Sequence, residues 1–403
     1  MPPARTFAAV ITTAFLCIMF SGCGDQRKYE QGISDSEIKI GNTSPYSGPL
    51  SAYGTIGRAT AAYFDMINEQ GGVNGRKINF ISLDDGYSPP KTVEQIRKLV
   101  EEEQVAFLSG TLGTPTNSAV HEYVNAKGIP QLFIQSGASK WGDPENHPWT
   151  MGWTLNYLSE ATIYGRYLVQ NKPDARIAVL YQNDDYGKDL LHGLKLGLGD
   201  QAESMIVATA SYEVTDPTVD SQIVSLKDSG ANTLFTAASA KFAAQVIRKV
   251  HDIGWKPLHI LNAVSISVAS VLEPAGLDKS VGIISVGYMK DPSDPQWKDD
   301  PDVREYKAWF EKYYPTGNIN EIVNVAGYST GWGTVKILER CGDDLSRANI
   351  MKQAASFKDV EAPLMLPGIK WNTAADDYYL IESAQFIRFD GKQWQAFGEV
   401  IGN

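Results

Sequence analysis

From residue 37 to about residue 290, short apolar runs alternate with longer stretches whose apolar positions recur every three to four residues. In the first half, the runs 37–43, 77–85, 104–110 and 129–137 read as strands, and 56–70, 90–103 and 117–127 as helices. In the first of these helices Ala59, Tyr63, Met66 and Ile67 share one face, and the glycines of GGVNG end it. The second half repeats the scheme, with strands over 176–182, 205–212, 233–239, 259–265 and 281–289. Its helices are expected over 162–171, 188–199, 220–230 and 241–254. The strands are continuous apolar runs, the pattern of strands covered on both faces. Strands alternating with helices predict βαβ units, parallel sheets and right-handed crossovers. The expected fold class is α/β, as two doubly wound parallel-sheet lobes joined by a hinge. Lobe 1 is expected to hold 38–150 plus about 290–340, and lobe 2 to hold 151–289 plus about 341–403. Within this scheme 319–340 is a helix returning to the first lobe. The tail segments IKWNTA, AQFIRFD and QWQAFGEV read as closing strands.

The first residues change the picture. Arg5 precedes the apolar stretch Phe7–Phe20, which is followed by Ser21, Gly22 and Cys23. That stretch is short of the roughly 20 residues a spanning helix needs and suits the core of a secretory signal. Residues 1–22 are therefore expected to be a signal peptide and Cys23 a lipidation site resembling that of bacterial lipoproteins. Residues 23–37, polar and without periodicity, would then be a tether. Of the chain's three cysteines, Cys17, Cys23 and Cys341, this leaves Cys341 alone, so no disulfide is expected. The net charge is −11 and no basic cluster exists, which argues against nucleic acid as a partner.

Open parallel sheets take ligands beyond the carboxyl ends of their strands. The segments there are SPYSGPLSAYG, GTLGTPTN, QSGASKW, NDDYG, AASA and NAVSIS. They supply hydroxyls, backbone N–H groups and aromatic rings. Gly113, Thr114 and Thr116 stand where a helix begins, and the Ser136–Gly137–Ala138 turn lies one strand later. Free N–H groups at such corners favour an anion, and two neutral cradles side by side suit one carboxylate. The lysine of a phosphate-binding loop is missing. Catalysis is not expected. GYSTG fits G-x-S-x-G around Ser329, but all five histidines precede it, the wrong order for a hydrolase triad. His121-Glu122 lacks the second histidine of a zinc helix. The pairs Asp84-Asp85 and Asp184-Asp185 end strands, where capping is the commoner role. No cofactor motif is found.

Together, SPYSGPLSAYGTIGRATAAYFDMINEQGGVNGRKI, DDGYSPPKTVEQIRKLV, NAKGIPQLF and LYQNDDYGKD resemble the extracytoplasmic solute-binding proteins of ABC transporters. The resemblance is to the branched-chain amino acid receptor family, the type I periplasmic binding proteins. It implies an exported, lipid-anchored receptor whose two hinged lobes close on one small solute for a permease and ATPase to take up. It implies a ligand site made of Tyr53, Gly113, Thr114, the carboxylate-binding turn Ser136, Gly137 and Ala138, and Tyr186. Trp153 would form a wall where the chain enters the second lobe. One departure stands out. Amino acid receptors of this family hold the ammonium with an acidic residue in the stretch that here reads HILNAVSISVAS, where Val264 or Ser265 takes the place. A buried ammonium without an anion is costly. The expected solute is therefore a carboxylate with an apolar or aromatic body and no free amine, unless Asp184 or Asp185 supplies the charge. The same fold serves ligand-sensing receptors that feed a signalling partner, which is the second reading.

Overall fold

The computed structural model describes residues 29–402, together with Met1 and Pro2. The expected signal peptide, Cys23 and the first part of the tether lie outside the described residues.

Twelve strands form two sheets among the described residues. The first sheet contains β1 (Glu37–Ser44), β2 (Lys77–Asp84), β3 (Phe107–Ser109), β4 (Gln131–Ile134) and β5 (Thr150–Gly152). Their order is β2-β1-β3-β4-β5, and all pairs are parallel, with β1 and β2 in register from Glu37 opposite Lys77 to Ser44 opposite Asp84. The second sheet contains β6 (Ile177–Gln182), β7 (Ile206–Tyr212), β8 (Thr233–Ala237), β9 (Leu258–Leu261) and β10 (Ile284–Gly287). Two late strands, β11 (Ser383–Phe389) and β12 (Trp394–Gly402), complete it in the order β12-β11-β10-β9-β8-β6-β7. They pair antiparallel, so a parallel sheet ends in a hairpin-like edge.

The helices of the first part are α1 (Thr55–Glu69), α2 (Pro89–Arg97), α3 (Thr114–Ser118) and α4 (His121–Ala126). The second lobe carries α5 (Tyr157–Asn171), α6 (Asp185–Leu198), α7 (Ala202–Met205), α8 (Asp220–Asp228), α9 (Ala240–Asp252) and α10 (Glu273–Ala275). Last come α11 (Pro301–Tyr313), α12 (Val323–Cys341) and α13 (Arg347–Ala354). Local chemistry sets several starts: Asn156 caps α5 by accepting from the Ser159 N–H, and Asp184 caps α6 by accepting from the Gly187 N–H. No helix among the described residues is long and apolar enough to cross a membrane.

Two helix contacts fix the lobes. Helices α5 and α6 meet backbone to backbone: a Cβ on Gly197 would stand 2.2 Å from the Thr162 carbonyl oxygen, and one on Gly193 2.3 Å from that of Leu158. Helix α12 is buried around most of its circumference and lies on α1, where Gly327 faces the Ile56 carbonyl. Tyr63, Trp309 and Tyr328 join α1, α11 and α12 through ring contacts of 4.7–6.4 Å. Most of the segment 319–340 thus forms α12, packed on α1.

The tail divides rather than passing whole to the second lobe. Arg347, at the start of α13, donates to the Ala106 carbonyl beside β3, and Phe357 and Trp371 pack on Phe133 of β4. Only β11 and β12 join the second sheet. IKWNTA is not a sheet strand: its Trp371 makes an isolated bridge to Val360 and inserts its ring, fully buried, among Phe133, Trp153, Trp332 and Phe357. Burial of a large ring, not strand pairing, explains its apolar character.

Candidate functional site

The carboxyl ends of the strands in both sheets open onto one cavity, with about 90 Å³ of room for the centre of a water molecule. From the first lobe come Tyr53, Tyr87 after β2, Leu112 to Thr114 after β3, and Gln135 after β4. From the second come Gln182 at the end of β6 and Tyr186 beyond it, Ser239 after β8, Ala263, Val264, Ile266 and Ser267 after β9, and Tyr288 after β10. Trp153, Thr154 and Tyr157 line it from the crossing between the lobes, and Ile322, Val323 and Ala326 from the start of α12.

None of the lining residues is Asp, Glu, Lys, Arg or His. Three buried polar atoms on the wall lack a protein partner: the Trp153 indole N–H, the Tyr186 hydroxyl and the Thr154 hydroxyl. Such atoms are costly in a folded interior and point to a hydrogen-bonding guest. Burial pushes the phenols of Tyr87 and Tyr186 well above their ordinary range and that of Tyr53 up to about 12, so all three stay neutral donors.

The small residues after β3 have a steric cause. Gly113 has φ 102°, and a Cβ there would lie 2.5 Å from both the Tyr87 ring and the Thr116 hydroxyl. Thr116 itself turns away, donating to the Leu112 carbonyl at 2.5 Å. Thr114 lines the cavity while its hydroxyl meets that of Ser136 at 2.6 Å.

The structure therefore brings Tyr53, Gly113, Thr114, Trp153 and Tyr186 to one cavity and leaves Ser136, Gly137 and Ala138 one layer behind it. The Ser136 hydroxyl accepts from the Trp141 indole N–H at 3.0 Å and the Ala138 N–H at 3.3 Å. The Gly137 carbonyl accepts from the Tyr157 N–H at 2.7 Å, and Leu155 presses so close that Gly137 has no room for a side chain. That turn supports Thr114 and Tyr157 instead of facing the cavity. Tyr53 is also more than a platform. Its hydroxyl donates to the Val264 carbonyl at 3.1 Å and accepts from the Ala240 N–H at 2.9 Å, both in the other lobe.

Neither aspartate weighed as an ammonium partner lines the cavity. Asp184 accepts from the Gln182 amide at 2.5 Å and caps α6; Asp185 pairs with Lys140 at 2.6 Å. Glu160 lies behind Ala263, fully buried, accepting from the Ala263 N–H at 2.6 Å and the Tyr164 hydroxyl at 3.0 Å; burial raises its carboxyl to about 7. Away from the cavity, the possible metal donors of His121, Glu122 and His147 lie within 4.8 Å of one another. They are already used: His147 bridges Glu122 and Asp143, and His121 pairs with Thr150. Ser329, in the middle of α12, is buried with no histidine beside it in the helix.

Sequence reasoning missed Tyr157, Tyr288 and Gln182 as wall residues, and held Ser239 only as part of the strand-end segment AASA. Tyr288 follows β10 directly, so the strand-end rule would have found it. Ile322, Val323 and Ala326 reach the cavity only because α12 lies on α1, a long-range contact with no local signal.

Comparison with known proteins agrees with this architecture. A Leu/Ile/Val-binding protein homolog 1 from Brucella suis is 25% identical over 365 residues, covering 86% of this chain and 94% of its own. The structure of a branched chain amino acid ABC transporter protein from Thermus thermophilus with bound valine superposes with a TM-score of 0.81. It is 16% identical, over 92% of this chain and 98% of its own. A solute binding protein from R. palustris in complex with benzoate gives a TM-score of 0.76 at 19% identity, over 91% of this chain and 98% of its own. Residues 37–392 match the family described as periplasmic binding protein. With two parallel-sheet lobes and a neutral aromatic cavity between them, the chain belongs to the periplasmic binding protein family, as a solute receptor.

Proposed function

We propose that this protein is the receptor of an ABC importer for a small carboxylic acid with an apolar or aromatic body and no free amine. The observation that carries the reading is the cavity wall: unpartnered neutral donors beside aromatic rings, and no acidic side chain. A carboxylate can be held by several neutral hydrogen bonds in a water-poor site. An α-ammonium in the same place would be desolvated without an anion. The indole N–H of Trp153 and the hydroxyl of Tyr186 would grip the acid, with Thr114 offering a backbone donor at the start of α3. Rings of Tyr87, Tyr157 and Tyr288 would enclose its body. The benzoate complex of the R. palustris relative is in keeping with such a guest, and the valine complex is the counterexample that the uncharged wall argues against. In this reading the receptor works in the periplasm, tethered by a lipid on Cys23, and hands its solute to a permease driven by an ATPase.

A thermal-shift screen of the purified protein tests this. A ligand that binds only the folded form raises the melting temperature, by about 2.7 kcal/mol of stability at a hundredfold excess over Kd. Benzoate, phenylacetate and branched aliphatic acids are expected to stabilise the protein more than leucine, isoleucine or valine do. Stabilisation by leucine and by none of the acids would refute it.

A further inference from the structure

A second cavity adjoins the first and is larger, about 310 Å³ on the same measure. The two share Ile266, Met289 and Ile322, so three aliphatic side chains form the partition between them. No hydrogen bond made by these side chains has to break for the partition to open. Met289 is unbranched and turns about three side-chain bonds, which makes it the most easily displaced of the three.

The cavities differ in chemistry. The first carries unpartnered donors, whereas most polar groups around the second are held by protein neighbours: the Asp291 carboxylate, which also lines it, accepts from the Ser293 N–H at 2.8 Å and hydroxyl at 2.7 Å. The Trp394 indole N–H donates to the Ile266 carbonyl at 2.8 Å. The Asp294 carboxylate accepts from the Gln296 backbone N–H at 2.9 Å and from its amide at 2.6 Å. The Gln385 amide donates to the Gly398 carbonyl at 2.9 Å. The apolar part of its wall comes from Leu366, Pro367, Ile387 and Val400. One chamber asks for a polar head and the other for an apolar tail.

We infer that the receptor takes an elongated acid, its carboxylate in the first cavity and its hydrocarbon tail passing the Met289 partition into the second. This rests on the acid reading above and narrows it to amphipathic acids with an extended chain. The second chamber is then a specificity subsite lying beside β10, β11 and β12, near the point where the chain leaves the second lobe.

Calorimetric titration of the intact protein with straight-chain saturated acids from butanoate to dodecanoate, with benzoate beside them, tests it. Each methylene that enters the tail chamber is expected to tighten binding by about fourfold. Ala396→Trp and Val400→Trp, on the outer strand β12, place bulk in the tail chamber without touching the first cavity. Each is expected to weaken dodecanoate about tenfold or more and to leave butanoate and benzoate within about twofold, the size of a few methylenes lost. Short acids that bind while long acids bind no tighter overturn the tail chamber alone. Long acids that bind tightly to both tryptophan variants also overturn it, since the tail then lies elsewhere. Binding of no acid, long or short, overturns the acid reading itself and this inference with it.

Discussion

The Tyr53 hydroxyl, on the first lobe, donates to the Val264 carbonyl of the second at 3.1 Å. Because it also accepts from the first N–H of α9, one phenol joins the lobes twice. These bonds exist only when the lobes are together, so they shift the balance between open and closed forms. Tyr53→Phe is expected to weaken solute binding about tenfold, from two hydrogen bonds worth about 0.5–1.5 kcal/mol each. Small-angle scattering should show a more open free protein, and titration the weaker Kd. An unchanged Kd would mean that the contact follows closure without favouring it.

Trp153 and Tyr186 carry donors that no protein group satisfies. Tyr186→Phe keeps the ring and removes only its hydroxyl, whereas Trp153→Phe also shortens a fully buried ring. Each is expected to lower affinity by about 1.5–3 kcal/mol if the guest is a carboxylate; the melting temperature of the free protein should stay level or rise for Tyr186→Phe and fall for Trp153→Phe. Titration beside a thermal melt separates the two effects.

Val264 lines the cavity, and it is one of the two residues, with Ser265, that stand where the family resemblance implies an acidic side chain. Val264→Glu should repel a carboxylic acid and offer an ammonium its missing anion. The ratio of leucine affinity to benzoate affinity is expected to rise about tenfold or more, by the Coulomb energy of a close pair at intermediate dielectric. Paired titrations of the two ligands read it directly.

Glu160 gives the fold a pH dependence of known sign. Its carboxyl titrates at about 7 when folded because burial disfavours the charge, against about 4.3 in an unfolded chain. The folded state holds the extra proton, so this group costs nothing below about pH 4 and removes stability as pH rises from about 4.3 to 7. The loss levels off above that, at about 4 kcal/mol on an order-of-magnitude basis. Glu160→Gln keeps an acceptor for the Ala263 N–H and cannot ionise. Its melting temperature should fall less than the parent's between pH 5 and pH 8.

Helices α5 and α6 approach so closely that Gly197 has no space for a methyl group. Gly197→Ala, harmless by helix propensity, is expected to cost about 1–3 kcal/mol by overpacking. A denaturant melt would detect it, and a neutral or stabilising result would show that the helices part freely.

How much of this was legible beforehand depended on whether the signal was local. The βαβ rhythm depends on local periodicity, and β1, β2, β6, α1 and α6 lie within a few residues of where apolar spacing and turn residues place them. β5 is only three residues long and is held by its pairing with β4. Trp371 misled in the other direction: an apolar, β-prone stretch proved to be a buried plug. In the cavity, Gly113 and Tyr186 were readable because a strand end, a turn and an aromatic occur together. Ser136 to Ala138 have the same composition but support the wall, because their donors and acceptors are taken by Thr114, Trp141 and Tyr157. Which side of a loop faces a ligand is decided by partners far away in the chain.

Among the described residues the polypeptide passes between the lobes three times: after β5, after β10 and before β11. A single strap would leave two bodies free to twist and slide. Three straps side by side suppress torsion and sliding and leave bending about one axis as the soft motion. The Tyr53 and Val264 groups are then returned to the same alignment at each cycle, and a break in any one strap is expected to blur that alignment while both halves stay folded.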